Sequence, residues 1–566
     1  MTDDLASLDP ITVEVIRNKL DGIANEMEST LVRSSFSPIV KEGLDASASL
    51  FTMRGEALAQ AIAIPIHLAT LIPIVRTMLD KYPPDIMIEG DIYIMNDPYC
   101  GGTHLPDIAL VMPIFHNGWP VAMAAAMTHH QDVGGMSPGS VPTNATEIYQ
   151  EGIRIPPLKF RDGNVINDTL IDMLKLNVRI PETFMGDLNA QLAACSVGGR
   201  RIAELAARYG DNYLTAVFEE LLDRSETMTR HAIEAIPDGV YSYVDYLDND
   251  GIELDKEIEI HAAVTVRGSN IHIDFAGTSP QVKGPFNCVR SGSLAAAYFA
   301  LRAVTDPTIP TNGGCFRPVT LDLPEGSLLC PRDGAPVNAR TSTIKRVASC
   351  ILGALRRALP DRLPADNGGE MLLLAFGGQR PGGANYVVGE MIASGSGASA
   401  ARDGVDMIET DCTNCMNLPV EAMEMDAPIR ILRSELRRDS GGPGMHRGGL
   451  GLRREYEILD GDVVLTYRGE RHRRPALGAD GGGAGATARG VITRRDGTVE
   501  EISSKCVTFL QAGDRLLIET AGGGGYGDPA GRSQAARRLD VLNRKTSAAA
   551  NMTSAPANMK GNDDAV

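Results

Sequence analysis

The sequence predicts an α+β fold, with a large, multi-domain, mixed α/β body and a C-terminal β-rich domain. The chain has 566 residues, more than one hydrophobic core usually serves. Helical periodicity alternates with β-like runs up to about residue 426, and short strands joined by glycine-rich turns follow. We therefore expect an N-terminal α/β domain with a metal site, a central α/β domain, a β-rich domain, and a helix end with a disordered tail. These parts are residues 1–240, 241–426, 427–530 and 531–566.

The N-terminal part begins with a helix. Asp9 and Pro10 are typical of an N-cap and a first helical position. Apolar residues then recur at steps of four and three from Ile16 to Leu31, which predicts one buried helical face. A hairpin around Gly55, a helix at 66–79 and three strands are predicted next. The hairpin strands are 46–51 and 57–63, and the later strands are 91–95, 108–115 and 120–127.

The rest of the chain divides into helical and β-like stretches. Helices are predicted at 168–236, 292–304 and 341–359, and alternating strands at 240–275. The C-terminal strands are predicted at 430–437, 452–459, 462–467, 488–493, 498–503 and 514–519. From about Thr546 the composition becomes low in apolar residues, which predicts disorder.

Composition excludes several classes of function. A net charge of -18 repels nucleic acid and anionic membranes. No apolar run approaches the roughly 20 residues of a spanning helix, and residues 1–5 lack the basic start of a secretory signal. Nine cysteines at irregular spacing suggest free thiols. We therefore expect a cytoplasmic protein with no nucleic-acid or membrane partner.

A cluster of metal-ligand residue types lies near one irregular loop. Asn96-Asp97-Pro98 begins the loop that carries His104 and Asp107, and His129 follows the strand at 120–127. His104 and Asp107 are three residues apart and can converge, and a strand-end histidine can approach the same point. With Asp45 as a fourth donor, the set suits zinc or manganese. The alternative is that these are loop and cap residues that bind no ion.

Four further observations on sequence motifs give weaker evidence about function. The run 522–527 matches GxGxxG, but no second strand follows, which favours a structural turn over a dinucleotide loop. Cys412 and Cys415 form a lone CxxC, and ordinary thiols are favoured over a zinc or redox pair. No GxxxxGK[ST] occurs, so no Walker-type ATP site is predicted. No nucleophile elbow is predicted, so a self-contained serine hydrolase has little support.

Several segments resemble a known family. They include DPITVEVIRNKL (9–20), LFTMRGEALAQAIAIPIHL (50–68), GDIYIMNDPYCGGTHLPDIALVMPIF (90–115), IDFAGTSPQVKGPFN (273–287), GGPGMHRGGLG (441–451) and AGGGGYGDP (521–529). The chain resembles the B-type chain of ATP-dependent hydantoinases (hydantoinase B), the C-terminal half of ATP-dependent 5-oxoprolinase and the alpha chain of acetone carboxylase. The resemblance extends over nearly the whole chain, from residue 9 to residue 529.

The resemblance implies a division of labour in a heterotetramer. The partner would be a hydantoinase A-type ATP-binding subunit, which holds ATP-Mg and phosphorylates a small cyclic amide such as a hydantoin, oxoproline or lactam. The B-type chain then opens the ring. The implied metal ligands are Asp45, His104, Asp107 and His129, with His67 and His130 as further candidates.

The catalytic base and the reaction remain open at this point. Asp97, Glu42 or a metal-bound hydroxide are the candidate bases. Two alternatives to hydrolysis are a component of an acetone or acetophenone carboxylase and a non-catalytic scaffold for the ATP-binding partner.

Overall fold

A computed structural model describes residues 8–62, 64–380 and 382–547. The α-helices are α1 Pro10–Ser34, α2 Pro38–Lys41, α3 Pro65–Lys81, α4 Asp168–Asn177, α5 Pro181–Tyr209, α6 Asp211–Glu234, α7 Arg290–Val304, α8 Arg340–Leu355, α9 Val420–Asp426 and α10 Gln534–Leu542. None of the helices in these ranges is both long and apolar enough to cross a membrane. Residues 1–5 and the predicted disordered tail beyond residue 547 lie outside the described residues.

The β-strands belong to four sheets. The strands are β1 Ala46–Phe51, β2 Ala57–Gln60, β3 Ile92–Met95, β4 Asp107–His116, β5 Trp119–His129, β6 Leu158–Asp162, β7 Val165–Ile166, β8 Gly239–Leu247, β9 Ile258–Arg267, β10 Asn270–Asp274, β11 Val319–Asp322, β12 Leu372–Gln379, β13 Asn385–Ile392, β14 Ile429–Leu436, β15 Leu452–Ile458, β16 Asp462–Arg468, β17 Arg489–Thr493, β18 Val499–Ile502, β19 Lys505–Gln511 and β20 Arg515–Glu519. The mixture of helices with several sheets confirms the predicted α+β class.

The first sheet has seven strands in the order β2-β1-β5-β4-β3-β6-β7, all antiparallel. Helix α1 begins at the predicted place, where the Asp9 carboxylate accepts hydrogen bonds from the amides of Ile11 and Thr12. Its predicted apolar face, which includes Ile16, is buried. Helices α1 and α5 pack together against this sheet, and α3, which contacts α7 on its other side, also packs against it. The sheet is therefore covered by helices while its strand ends remain available for a site.

The second sheet has four strands in the order β11-β10-β9-β8. Strands β10 and β11 are parallel, and the other neighbours are antiparallel. Helix α8 packs on β8 and β9 and also contacts α7, which in turn packs on α3. This chain of contacts places the start of α8, at Arg340, next to the ends of β4 and β5 in the first sheet.

The C-terminal strands form two sheets. One has the order β14-β15-β20-β17-β18, and the other has the order β13-β12-β16-β19. In the second of these, β12 pairs with β16, so that Leu373 lies opposite Arg468. This sheet therefore joins strands from both sides of residue 427, where we predicted the β-rich domain to begin.

The glycine run at 522–527 is a packing element. The amides of Gly523 and Gly525 donate hydrogen bonds to the carbonyls of Gly449 and Gly483. A Cβ atom on Gly523 would lie 1.9 Å from the Ser396 carbonyl oxygen. The prediction of a turn at 522–527 is wrong. The glycines here permit backbone segments to cross at close range, and within the run only Gly527 has a positive φ, of 71°. The run leaves no room for a dinucleotide phosphate.

Candidate metal centre

Three neighbouring strand ends meet at one edge of the seven-stranded sheet. Asp107 begins β4 and is the register partner of His129, which ends β5. Asp45 directly precedes β1, and its carbonyl accepts a hydrogen bond from the His129 amide at 3.1 Å. Because β1, β5 and β4 are adjacent, their ends place three of the four predicted ligands in one row. The fourth, His104, lies in the turn just before β4.

His104, Asp107 and His129 form a buried triad. His104 Nε2 lies 2.8 Å from Asp107 Oδ1 and 3.2 Å from His129 Nδ1, and His129 Nδ1 lies 3.2 Å from Asp107 Oδ1. Four ligand atoms about 2.1 Å from one ion in a tetrahedron are about 3.4 Å apart. The three atoms therefore have a spacing that one small divalent ion can bridge, and the three residues satisfy the geometry of a metal-holding group.

The hydrogen-bonding state of His104 supports the fit to a cation. Its Nδ1 lies 2.9 Å from the Asn338 carbonyl oxygen, which only accepts, so Nδ1 carries the proton. Burial, reinforced by the nearby Arg340 charge, lowers the pKa of His104 to about 3, so the ring is neutral near pH 7. Nε2 then presents a lone pair towards the Asp107 carboxylate. Two acceptors 2.8 Å apart need a cation between them.

Asp45 and His67 complete the polar wall of the site. His67, on α3, has its Nε2 3.6 Å from Asp45 Oδ1 and 3.8 Å from Asp107 Oδ2. Asp45 Oδ2 lies 4.0 Å from His129 Nδ1. Burial lowers the pKa of His67, so this imidazole also presents a neutral ring. The structure thus brings together all four predicted ligands and one of the two further candidates.

A second layer of contacts holds the ligands in place. Thr103 Oγ1 donates a hydrogen bond to Asp107 Oδ2 at 2.6 Å, and Arg340 Nη2 forms an ion pair with the same oxygen at 2.5 Å. Burial by itself raises the pKa of Asp107, but the positive charge of Arg340 and the other polar neighbours of this carboxylate outweigh it and hold the pKa well below its ordinary value. The buried Glu151 carboxylate accepts hydrogen bonds from the Val337 and Asn338 amides, which fixes the carbonyl that orients His104. Such partners are typical of metal sites.

A cavity of about 20 Å³ lies against the cluster, with room for one water or ion. Its polar wall includes Asp45, His67, His104, His129, Arg340, Thr341 and Arg468, and its apolar wall includes Ile64, Ile66, Met371, Leu373, Met391 and Cys415. Arg468 is 1% exposed. Burial, together with the like charge of Arg340, lowers its pKa to about 9. The site therefore combines acidic and basic groups in an enclosed space.

The two predicted catalytic carboxylates lie apart from this cavity wall. Asp97 accepts a hydrogen bond from the Tyr99 amide and forms an ion pair with Arg154 at 2.9 Å. Glu42 is partly buried at the end of α2. Neither is among the residues that line the cavity. Their catalytic role stays a prediction.

His130 points away from the triad. Its Nε2 contacts the Gln191 side chain at 3.1 Å, and its ring packs on Phe184. Cys412 and Cys415 are both buried free thiols, and burial raises the pKa of each thiol well above its ordinary value. Neutral thiols of this kind fit the prediction of ordinary cysteines.

Sequence reasoning did not single out Arg340, Arg468 or Asn338. These residues lie more than 200 positions after the ligands along the chain. The two arginines lie one residue outside predicted elements: Arg340 precedes the predicted helix at 341–359, and Arg468 follows the predicted strand at 462–467.

Comparison with known proteins gives consistent matches along the chain. The family described as Hydantoinase B/oxoprolinase matches residues 9–529. A putative D-/L-hydantoinase chain of the B type from a Pseudomonas species is 34% identical over 547 residues, which cover 93% of this chain and 91% of that protein. The crystal structure of ATP-dependent caprolactamase from Pseudomonas jessenii is 33% identical with a TM-score of 0.89, covering 96% of this chain and 95% of that one. Nucleotide-free acetone carboxylase is 20% identical with a TM-score of 0.90, covering 97% of this chain and 80% of that one, so the fold is shared.

Proposed function

The chain belongs to the hydantoinase B/oxoprolinase family, and we propose that it opens the ring of a small cyclic amide that a partner chain has activated with ATP. The observation that carries this proposal is the buried His104–Asp107–His129 triad beside an enclosed cavity. A B-type hydantoinase chain and a caprolactamase align with this chain over nearly its whole length, and both of their names refer to the hydrolysis of a cyclic amide.

We infer that His104, Asp107 and His129 hold one divalent ion, with Asp45 as the fourth ligand. Imidazole and carboxylate donors suit zinc and manganese. When bound, such an ion lowers the pKa of a coordinated water towards about 7 and positions it for attack. His67 lies within 4 Å of both carboxylates, which makes it a further donor to the same site.

The chain's own residues contribute orientation and exclusion of water. Arg340 and Thr103 hold Asp107 in one rotamer, and the Asn338 carbonyl fixes the ring of His104. Met371, Leu373 and Met391 form an apolar wall that keeps bulk water from the reacting carbon. Polar interactions are stronger in such an enclosed space than in water.

The proposed reaction balances with one ATP and two water molecules. Transfer of a phosphoryl group from ATP to the amide oxygen makes the ring carbon electrophilic. A water oxygen forms a bond to that carbon, the ring C–N bond breaks, and both protons of the water end on the nitrogen. The resulting acyl phosphate reacts with a second water, which yields a carboxylate and inorganic phosphate.

The phosphorylation of the amide oxygen requires a partner chain that binds ATP. The sequence has no Walker-type phosphate loop, so we propose that ATP-Mg binds to a hydantoinase A-type partner and that the two chains form a heterotetramer. Asp97 and Glu42 stay our candidate proton acceptors, and Asp97→Asn and Glu42→Gln in the assembled complex would test them separately from the metal ligands.

The test is co-expression with a hydantoinase A-type chain from the same genome, followed by assays of ATP consumption and ring-opened product with hydantoin, 5-oxoproline and caprolactam. We expect product from at least one of these. A complex with His104→Ala should still assemble but form no product. Full activity of a complex stripped of metal by a chelator would contradict the proposal and favour a scaffold role for this chain.

Carboxylation of a ketone is the second candidate. The acetone carboxylase match, at 20% identity, supports only the fold. Incubation of the same complex with acetone, bicarbonate and ATP distinguishes the two, because only a carboxylase forms a new carbon–carbon bond to labelled bicarbonate.

A further inference from the structure

Arg468 is a buried arginine without a carboxylate partner among residues 8–62, 64–380 and 382–547. Within the described part of the chain, its guanidinium donates only one weak hydrogen bond, from Nη1 to the Asn338 carbonyl at 3.4 Å, and its Nε has no partner there. Six other arginines of the described ranges are buried. Five of them have a carboxylate within 4.0 Å, namely Arg340, Arg346, Arg447, Arg454 and Arg471, and Arg537 donates hydrogen bonds to the carbonyls of Arg532 and Pro529. Arg468, in contrast, lies on the wall of the candidate metal cavity.

The charges around the cavity indicate what an unpaired arginine could bind there. Asp45 and Asp107 contribute two negative charges, and Arg340 and Arg468 contribute two positive charges. The formal charges of these four side chains sum to zero, so a bound divalent ion would leave the site with a net charge of about +2. A buried site with this excess favours an anionic ligand that carries two negative charges.

The position of Arg468 directs that ligand towards the metal. Arg468 ends β16 and lies opposite Leu373 of β12, so its backbone is fixed between paired strands. Its side chain contacts the same Asn338 carbonyl that accepts a hydrogen bond from His104 Nδ1. An oxyanion bound to Arg468 therefore lies beside the metal ligands. Met371 and Met391 in the wall are unbranched, so they can change rotamer to admit a group larger than water.

We propose that Arg468, assisted by Arg340, binds the phosphoryl group of the activated amide next to the metal. This inference rests on the proposed function, since it takes the phosphorylated substrate from that reaction. The planar guanidinium presents several N–H donors to a tetrahedral dianion. It holds the phosphoryl group while the ring carbon faces the metal-bound side of the cavity.

The test uses inorganic phosphate as the probe and the full-length chain loaded with manganese. Manganese broadens the ³¹P resonance of phosphate that binds beside it, so the broadening reports distance from the metal as well as binding. We expect saturable broadening with the wild-type chain. Arg468→Gln should need about tenfold more phosphate or higher for the same effect, and Arg468→Lys should lie between the two. Arg402→Gln, which removes an exposed arginine, should match the wild type.

The controls separate the two proposals. If broadening persists in His129→Ala, the manganese lies elsewhere, and the metal site of the proposed function fails. If broadening needs His129 but is unchanged in Arg468→Gln and Arg468→Lys, the anion site is overturned while the metal site stands. Absence of saturable broadening with the wild type also overturns it. Displacement of phosphate by lower concentrations of acetate would assign Arg468 to the carboxylate product instead.

Discussion

Replacement of His104 by alanine should remove most of the bound metal while the fold remains. His104 supplies one of three ligand atoms that lie within 3.2 Å of one another. Zinc binds protein sites with roughly 12 kcal/mol, so four ligands contribute about 3 kcal/mol each. Loss of one ligand should therefore weaken binding by more than about a hundredfold.

His130→Ala is the matched control. His130 is the neighbour of His129, it is as buried as His104, and its contacts are with Gln191 and Phe184. We expect the His130→Ala chain to keep its metal, although with a lower melting temperature. The measurement is metal content by elemental mass spectrometry after gel filtration, together with a thermal melt of each variant. A His104→Ala chain with full metal content, or a His130→Ala chain that folds without metal, would refute the assignment.

Four further predictions concern stability and partnership. Burial alone raises the pKa of Glu28 from 4.5 to about 8. The contribution of this group to stability is therefore complete below pH 4.5 and is lost as the pH rises through 8. Between pH 6 and pH 9 the melting temperature should fall less in Glu28→Gln than in the wild type. Gly523→Ala should destabilise the chain by about 4 kcal/mol or more in a denaturant titration, since its Cβ would lie 1.9 Å from a carbonyl oxygen. The control Gly22→Ala, in an open position on α1, should instead stabilise the chain by about 0.5–1 kcal/mol. Lys345→Met should cost about 3–5 kcal/mol because it leaves the buried Glu409 carboxylate, now 2.8 Å from Lys345, unpaired, and an unchanged unfolding midpoint would contradict this. The purified chain alone should neither consume ATP nor open a cyclic amide, and turnover without a partner chain would contradict the division of labour.

The part of the site that was predictable is local in the sequence. His104, Asp107 and His129 lie within 26 positions. His104 is just before β4, Asp107 begins β4 and His129 ends β5, and a tight turn joins the two strands. Antiparallel pairing of such strands places the start of one beside the end of the next. The hairpin at Gly55 extends the same sheet and places Asp45 next to His129. Pairing rules alone are therefore enough to predict that Asp107 and His129 meet, whereas Asp45 joins them through the non-sequential pairing of β1 with β5.

Strands β6, β7, β11, β12, β13 and β19 were not predicted, and two of them, β12 and β19, show why. Strand β12 lies between β13 and β16 and is buried over most of its length. Its sequence is a continuous apolar run with two glycines, which does not distinguish a central strand from other buried segments. Strand β19 carries mixed polar and apolar residues on a partly exposed edge, so its alternation is weak. In both cases the partner strands, and not the local sequence, determine the structure.

The positive side of the site depends on long-range packing. Arg340 lies 233 positions from its Asp107 partner, and Arg468 reaches the cavity only because β16 pairs with β12. All four predicted ligands precede residue 130, but the carbonyl that orients His104 belongs to Asn338. The first sheet thus supplies the metal donors, and the later elements supply the charges and the enclosing wall. The ligand set read from residues 1–240 predicts a metal site, and we propose that the two buried arginines make that site suitable for an anionic, phosphorylated substrate.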